Sequence, residues 1–254
     1  MLFEEKLIFF PELYPIGDWQ PVIPADVSCD DVFFMSEGNR LHSWFIKPKF
    51  QCFDGALLIC HGNAGNITSR FPKAASLASL GVPVLLFDYR SYGKSDVSRL
   101  SEQAVYADSE AAWNYLRQFY DEGKIIVHGV SLGGGPAGWL ACRYDPLALV
   151  LESTFTCIPD MCKEMYPYIP RFLVGTQFNT LQRVGALELP KLFIHGDQDD
   201  VVPFWMGEKL HEQACEPKTF VRISGGMHSD LLEVAKAGYL EAFEVFFEQN
   251  FKAL

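Results

Sequence analysis

Short apolar runs alternate with segments of helical length along this chain, and this alternation restricts its fold more than any other feature. Eight runs are rich in the β-branched and aromatic residues typical of strands: DVFFM, LHSWFIK, ALLICHG, VPVLLFDYR, KIIVHGV, LALVLES, KLFIHG and KTFVRIS. The first two runs are adjacent, which predicts an antiparallel hairpin, whereas longer helical patterns separate the others. Such alternation is typical of a mostly parallel sheet flanked by helices. We therefore predict an α/β fold with eight strands.

The domain organisation follows from length and from the absence of linkers. No Pro/Ser/Gly-rich stretch and no block of charges divides the 254 residues, which predicts one domain over residues 1–254. Only the aromatic-rich and proline-rich segment at about residues 154–189 departs from the alternation, because it is longer than a crossover helix needs. This segment is expected to be either a small cap inserted above the sheet or a long crossover packed as ordinary core.

Charge and hydropathy exclude several classes of partner. A formal net charge of −11 without a basic cluster disfavours binding to nucleic acid and to anionic lipids. The apolar runs have the length of strands and are too short to span a bilayer, and the beginning of the chain lacks the basic residues of a signal peptide.

The seven cysteines include no C-x-x-C pair. We expect a cytoplasmic protein with reduced cysteines and with no metal or cofactor.

The stretch GVSLGGGPAG after the fifth predicted strand fits two motifs. Gly129, Ser131 and Gly133 match G-x-S-x-G, the turn that presents a nucleophilic serine. Gly133, Gly135 and Gly138 match G-x-G-x-x-G, the fingerprint of a dinucleotide-binding loop. That fingerprint normally follows the first strand of its half directly, whereas here it lies in the middle of the chain and three residues beyond the strand. The position therefore favours the serine motif.

Residues at the predicted strand ends match two other kinds of site in part. The GKS at residues 93–95 resembles part of a phosphate-binding loop, but Asp88 occupies the position of the first glycine of that motif. His61, His128 and His195 each end a strand and could approach one metal ion, yet no spacing such as H-E-x-x-H accompanies them. We therefore interpret GKS as part of an ordinary loop and the three histidines as separate residues that do not share a metal ion.

Acyl transfer by a serine needs a base to accept the hydroxyl proton, an acid to orient that base, and donors for the oxyanion. Ser131 supplies the hydroxyl, and His228, the one histidine after the last predicted strand, supplies the base. Asp197, Asp199 and Asp200 all follow the penultimate strand, and spacing does not distinguish among them. This order of serine, acid and histidine is typical of hydrolases whose nucleophilic serine lies in a turn between a strand and a helix.

Main-chain groups are the expected oxyanion donors. One is the N–H of Leu132, the residue after the nucleophile, and the other lies in the loop HGNAGN after the third strand. We predict the main-chain N–H of Asn63 as this second donor.

With these motifs in order, the chain resembles the α/β-hydrolase superfamily from about residue 32 to residue 251. The motifs are HGNAGN, DYRSYGKS, GVSLGG, ESTFT, HGDQDDVVP and GGMHSD. They are similar to those of the serine-hydrolase branch with acyl-protein thioesterases (depalmitoylases) and serine-aminopeptidase-like hydrolases. The resemblance implies an α/β-hydrolase fold, and its pattern H-G-x-x-D-x-x-V-P assigns the acid role to Asp199. It also implies Ser131 as nucleophile, His228 as base, and Asn63 and Leu132 as oxyanion donors.

The sequence departs from the usual pattern of that superfamily in two places. Ser91 stands where related sequences usually have the glycine of DYRGYG. The amino-terminal anchor or lipid-modified tail of many relatives is not recognisable before LIFFP, so depalmitoylation at a membrane is not implied.

The sequence thus predicts a hydrolase of neutral carboxylic esters or thioesters that forms an acyl-enzyme. A binding module without catalysis and a serine aminopeptidase are the alternatives. The segment 154–189 contributes aromatic and methionine side chains that would either line an acyl pocket or pack the segment onto the sheet. They are Phe155, Met161, Met165, Tyr166, Tyr168 and Phe172.

Overall fold

A computed structural model describes residues 5–253. The strands are β1 (Phe10–Pro11), β2 (Val27–Ser36), β3 (Asn39–Pro48), β4 (Ala56–Cys60), β5 (Ala64–Gly65), β6 (Val84–Phe87), β7 (Ile125–Val130), β8 (Ala148–Glu152), β9 (Lys191–Gly196) and β10 (Lys218–Ile223). The α-helices are α1 (Glu5–Ile8), α2 (Phe71–Ala78), α3 (Glu102–Leu116), α4 (Gly134–Arg143), α5 (Ile158–Met165), α6 (Thr180–Val184), α7 (Phe204–Gln213), α8 (Leu231–Val234) and α9 (Lys236–Asn250). Short 3-10 helices cover Ile67–Arg70, Glu122–Lys124, Ser131–Gly133 and Arg171–Leu173.

Within residues 5–253 the main sheet has eight strands in the order β10-β9-β8-β7-β4-β6-β3-β2. The hairpin β2–β3 is antiparallel, and β3 pairs antiparallel with β6. The other neighbouring pairs, in the order β6-β4-β7-β8-β9-β10, are parallel. The predicted α/β-hydrolase fold, with its mostly parallel sheet and flanking helices, is confirmed. The parallel strands bring their carboxyl ends to one edge, where ligands bind in such sheets.

The two faces of the sheet are covered by separate apolar layers, because alternate residues of each strand point to opposite faces. In β4, Leu58 joins the layer that includes side chains of α3, α4 and α7. Its neighbour Leu57 joins the layer that includes α2 and α9. The central strands are buried on both faces, which explains their nearly continuous apolar sequences.

A strap formed by residues 5–24 crosses the edge that holds the strand ends, and the sequence did not predict its structure. Within the strap, β1 pairs in parallel with β5, so that Phe10 lies opposite Ala64. The main-chain N–H of Phe10 donates to the carbonyl of Asn63 at 3.0 Å, and the Asn63 amide donates to the carbonyl of Ile8 at 2.9 Å. The strap therefore holds the HGNAGN loop from outside the main sheet.

The segment between β8 and β9 has two differently packed halves, and its role as a cap stays a prediction. Its second half packs as core, since Phe178 is fully buried against Gly135 of α4 and Arg183 donates to the Gly135 carbonyl at 3.1 Å. Its first half contains α5 and the 3-10 helix Arg171–Leu173, and it leaves a run of large apolar side chains exposed. None of the helices within residues 5–253 has the length and apolar content needed to traverse a bilayer.

Candidate active site

Ser131 lies at the carboxyl end of β7, in the turn that leads into α4. Its φ angle is +54°, in the left-handed region that costs a non-glycine residue free energy. This conformation ends the strand abruptly and directs the helix back along the sheet, as expected for the turn of a nucleophilic serine. The side chain is largely buried, but its hydroxyl is within hydrogen-bond distance of a histidine.

Glycine is required on both sides of Ser131 because the turn packs against neighbouring backbone. A Cβ on Gly129 would overlap the carbonyl oxygen of Gly133 and the side chain of Ala137. A Cβ on Gly133 would overlap the carbonyl oxygen of Cys60 at the end of β4. Gly129 therefore allows the start of α4 to approach β7, and Gly133 allows the turn to approach β4.

His228 lies in the loop between β10 and α8 and contacts the serine directly. Its Nε2 is 3.0 Å from Ser131 Oγ, and its Nδ1 is 2.9 Å and 3.1 Å from the two carboxylate oxygens of Asp199. A carboxylate only accepts hydrogen bonds, so Nδ1 carries the proton and Nε2 is free to accept the serine hydroxyl. The structure thus brings together the serine, histidine and aspartate that the sequence singled out, in the order that proton transfer requires.

The side chain of Asp199 is fully buried and held by several donors. The main-chain N–H groups of Val201 and Val202 donate to its Oδ1 at 2.9 Å and 2.7 Å, and Nε2 of His195 is 3.2 Å from its Oδ2. Burial opposes ionisation, but the hydrogen bonds from His195 and His228 outweigh it and lower the pKa of the Asp199 carboxyl. The carboxylate is therefore charged and fixed beside the histidine.

The other two candidate acids have different partners. Asp197 accepts hydrogen bonds from the main-chain N–H of Gly225 at 2.7 Å and from Arg222 Nε at 2.8 Å. Asp200 is exposed and approaches the main-chain N–H of His228 at 3.4 Å. Neither of these two carboxylates is placed against the histidine ring.

The predicted oxyanion donors lie on two adjoining loops. A Cβ on Gly62 would be 3.3 Å from Ser131 Cβ, so the HGNAGN loop passes directly beside the nucleophile. Asn63 follows Gly62, and its main-chain N–H is not engaged by any acceptor within residues 5–253. Leu132 is in the first turn of the helix that starts at Ser131, where N–H groups lack intrahelical acceptors.

The side chains predicted as an acyl pocket do not form one enclosed lining. Phe155 and Met161 are buried in the core layer that includes α3 and α4. Phe172 and Tyr168 are 85% and 95% exposed, and Met165 and Tyr166 are also exposed. Phe155 and Met161 therefore take part in packing the segment onto the sheet, whereas the four exposed side chains do not. Contact of Phe155, Tyr166 or Phe172 with an acyl chain stays a prediction.

The alternative sites are dispersed or occupied by packing. Nδ1 of His61 contacts the Gly62 carbonyl, Nε2 of His128 contacts Glu152 at 3.0 Å, and His195 supports Asp199. Among residues 5–253 no group of three or more metal-ligating side chains is gathered. Gly135 of the possible dinucleotide motif packs against Phe178.

Sequence reasoning missed several residues around this site. Thr154, of the ESTFT motif, donates from Oγ1 to the Ser131 carbonyl at 2.6 Å. His195 supports the acid, although its only signal was the His-Gly at a strand end. Glu152, at the end of β8, is buried with Lys73, His128 and Tyr239 around its carboxylate. A charged residue at the end of an apolar strand was the available signal for this network.

Comparison with known proteins finds a matching family model and similar chains. The family model of the α/β-hydrolase fold matches residues 55–165. An α/β-hydrolase domain-containing protein of Arabidopsis thaliana is 32% identical, and the alignment covers 99% of this chain and 87% of that protein. An uncharacterised protein of Mycobacterium tuberculosis is 37% identical over 89% of this chain and 81% of its own length.

Solved structures share the fold at lower identity. An esterase of Pyrococcus furiosus has a TM-score of 0.77 and 19% identity, covering 96% of this chain and 99% of that one. Est1E of Butyrivibrio proteoclasticus, solved with bound ferulic acid, has a TM-score of 0.73 and 21% identity, covering 86% and 98%. These similarities do not single out acyl-protein thioesterases, so that branch stays a prediction.

Proposed function

Because this chain belongs to the α/β-hydrolase family, we propose that it is a serine hydrolase that cleaves carboxylic esters or thioesters through an acyl-enzyme intermediate. The observation that carries the proposal is the unbroken hydrogen-bonded line from Ser131 Oγ through the His228 ring to Asp199. A hydroxyl, a base and an orienting carboxylate are what nucleophilic acyl transfer requires.

In the first half-reaction, His228 Nε2 accepts the proton of Ser131 while Oγ attacks the carbonyl carbon of the ester. The C=O electron pair moves to the oxygen and produces a tetrahedral oxyanion. The imidazolium is stabilised by Asp199, whose lowered pKa keeps it a carboxylate. Collapse of the intermediate breaks the bond to the alcohol or thiol, which takes the proton from His228 Nε2 and leaves the acyl group on Oγ.

In the second half-reaction, water replaces the alcohol or thiol. His228 Nε2 accepts a water proton, the hydroxide attacks the acyl carbon, and the tetrahedral intermediate expels Ser131 Oγ, which recovers the proton from Nε2. The main-chain N–H groups of Asn63 and Leu132 would donate to the oxyanion in both halves. Such donors act mainly in the transition state and therefore raise kcat.

A neutral acyl substrate is the substrate class that the chain favours. The formal charge of −11 gives no advantage to anionic substrates, and the segment between β8 and β9 offers apolar side chains such as Tyr166 and Phe172. The names of two structural neighbours, an esterase and an enzyme with bound ferulic acid, are consistent with ester chemistry on this fold.

A substrate panel tests the proposal. It contains p-nitrophenyl esters and acyl-CoA thioesters of two to twelve carbons, together with aminoacyl p-nitroanilides. We expect turnover of neutral esters by the wild type, a loss of about 10⁴-fold in Ser131→Ala, and no change in the matched variant Ser229→Ala, whose serine is exposed. Preference for aminoacyl anilides would indicate a peptidase, and absence of turnover on the whole panel would indicate a binding module.

Chain-length dependence tests the predicted acyl contacts. Each methylene buried contributes about 0.8 kcal/mol, so kcat/KM should rise about threefold to fourfold per carbon until the available surface is covered. The double variant Tyr166→Ala, Phe172→Ala should flatten this rise and leave acetyl ester hydrolysis unchanged. A rise of wild-type steepness in the double variant would contradict the assignment of these two side chains to the acyl group.

A further inference from the structure

Both peptide groups that carry the proposed oxyanion donors are held at their carbonyl ends by buried side chains. The N–H of Leu132 shares its peptide with the carbonyl of Ser131, which accepts a hydrogen bond from Thr154 Oγ1 at 2.6 Å. The N–H of Asn63 shares its peptide with the carbonyl of Gly62, which is 2.7 Å from Nδ1 of His61. In a trans peptide the C=O and N–H point in opposite directions, so fixing one fixes the direction of the other.

We propose that Thr154 and His61 are positioning residues that aim the two oxyanion donors by anchoring the opposite ends of their peptides. This inference rests on the proposed function, because the oxyanion exists only if Ser131 attacks a carbonyl. Neither side chain needs to touch the substrate. Each acts through a main-chain plane.

The contact of Thr154 is fixed by its burial against α4. Thr154 follows β8 and is 2% exposed, and it packs so closely on α4 that a Cβ on Gly134 would overlap its side chain. The hydroxyl therefore has one well-defined acceptor, the Ser131 carbonyl. Ser131 has a φ of +54°, a conformation that the backbone alone disfavours. The orientation of the Ser131–Leu132 peptide therefore depends on tertiary contacts.

The contact of His61 is equally constrained. The ring is fully buried, with the Tyr89 and Tyr92 rings at centroid distances of 4.4 Å and 5.1 Å. Burial, together with the charge of Arg70, lowers the pKa of His61 to about 3, so the ring is neutral at physiological pH. The single ring proton lies on Nδ1, because the Gly62 carbonyl can only accept.

Further contacts hold the next peptide of the same loop. The Asn63 carbonyl accepts hydrogen bonds from Tyr92 Oη at 2.7 Å and from the main-chain N–H of Phe10 at 3.0 Å. The peptide planes on both sides of Asn63 are thus anchored. The Asn63 N–H belongs to the first of these planes, and no acceptor within residues 5–253 engages it.

The test uses full-length variants and p-nitrophenyl ester kinetics. Loss of a whole oxyanion donor costs about 10²–10³ in kcat, so a misdirected donor in Thr154→Val should cost about 10-fold to 100-fold. KM should stay within about twofold, and the pH at half-maximal rate should not move, because His228 and Asp199 are untouched. Thr154→Ser, which restores the hydroxyl, should recover most of the rate.

An inhibitor that forms a tetrahedral adduct gives a second readout. A trifluoromethyl ketone binds with its oxyanion at the donors, so its Ki in Thr154→Val should rise by the same factor by which kcat/KM falls. The matched control is Thr180→Val, because Thr180 is also fully buried and also donates to a main-chain carbonyl, that of Phe178 at 3.3 Å. The control should retain the wild-type kcat and Ki.

His61 provides an independent pair of variants if Thr154→Val does not fold. His61→Asn keeps a donor near the Nδ1 position, whereas His61→Leu removes it. We expect kcat to be about tenfold higher in His61→Asn than in His61→Leu, at similar KM. Equal values in these two variants would overturn the role of His61.

The outcomes separate this inference from the proposed function. A folded Thr154→Val with wild-type kcat and Ki, or one that loses activity only to the extent of Thr180→Val, overturns the inference while the hydrolase stands. A wild type that neither turns over esters nor binds the ketone overturns the proposed function, and the inference with it.

Discussion

Glu152 is expected to be a major determinant of stability, because it is a charge buried behind the nucleophile turn. Its carboxylate is fully buried and contacts the ammonium of Lys73, the Nε2 of His128 at 3.0 Å and the hydroxyl of Tyr239 at 2.7 Å. The network ties β7 and β8 to α2 and α9. Replacing Glu152 with Gln keeps the size of the side chain but removes the negative charge.

The expected loss of stability in Glu152→Gln follows from the burial of the ion pair. Removing one partner of a buried ion pair typically costs about 3–5 kcal/mol, because the other charge is left in a dry environment. The Lys73 side chain is 17% exposed, so part of its charge can be solvated, and we expect Glu152→Gln to lose about 2–4 kcal/mol. At about 2–4 °C per kcal/mol for a chain of this size, Tm should fall by about 5–15 °C.

The assay is thermal unfolding followed by circular dichroism at pH 7, with Glu212→Gln as the matched control. Glu212 pairs with Lys209 on the surface, where such pairs contribute at most about 1 kcal/mol. The control should unfold within about 3 °C of the wild type. A Glu152→Gln variant that unfolds together with the control would refute the claim that this network stabilises the fold.

The pH dependence of stability gives a second test of the same network. Burial raises the pKa of Glu152, but the charge of Lys73 and the hydrogen bond from His128 outweigh it and lower the pKa below its ordinary value of 4.5. A carboxyl with a depressed folded-state pKa stabilises the fold above its unfolded-state pKa and loses that contribution as the pH falls. The difference in Tm between the wild type and Glu152→Gln should therefore be constant near pH 7 and shrink below about pH 4.5.

Two further predictions concern the site and the loop beside it. Asp199→Asn should lower kcat by about 10²–10⁴-fold, because it disturbs the tautomer of the base, while Asp197→Asn should cost far less; steady-state kinetics measure both, and the reverse ranking would contradict the assignment. Ser91 has a φ of +64° and a hydroxyl that donates to the Ser98 carbonyl at 2.6 Å and accepts from the Ser98 N–H at 3.0 Å. In thermal unfolding, Ser91→Ala should lose about 1–3 kcal/mol, since it keeps the strain and removes the hydrogen bonds, whereas Ser91→Gly should lose less, because glycine relieves the strain. Equal Tm values for these two variants would contradict that explanation.

The main sheet was predictable from the sequence because its signal is local. Each central strand is buried on both faces and therefore reads as an apolar run, and the helices between the runs dictate parallel pairing. The proximity of Ser131, Asp199 and His228 was predictable for the same reason, because residues that follow parallel strands meet at one edge of the sheet. Choosing Asp199 over its neighbours needed the family pattern, because its contacts with Val201 and Val202 depend on the loop geometry.

Other features depend on contacts between distant residues and have no local signal. Strands β1 and β5 have two residues each, and Phe10 pairs with Ala64 across the chain. Lys73 and Glu152 meet from α2 and β8, and neither residue alone indicates a buried pair. The aromatic content around Tyr168 left an acyl pocket and packing onto the sheet both open, because residue type does not fix exposure when a segment is anchored through other residues such as Phe178.

The central claim is that Ser131 is an acylated nucleophile, and intact-protein mass spectrometry with a fluorophosphonate tests it most directly. The wild type should gain the mass of one phosphonyl group, and peptide mapping should find that group on Ser131. Ser131→Ala should gain none, and His228→Ala should be labelled at least about 10²-fold more slowly, because its nucleophile lacks a base. Labelling at another residue, or equal labelling of wild type and Ser131→Ala, would contradict the claim.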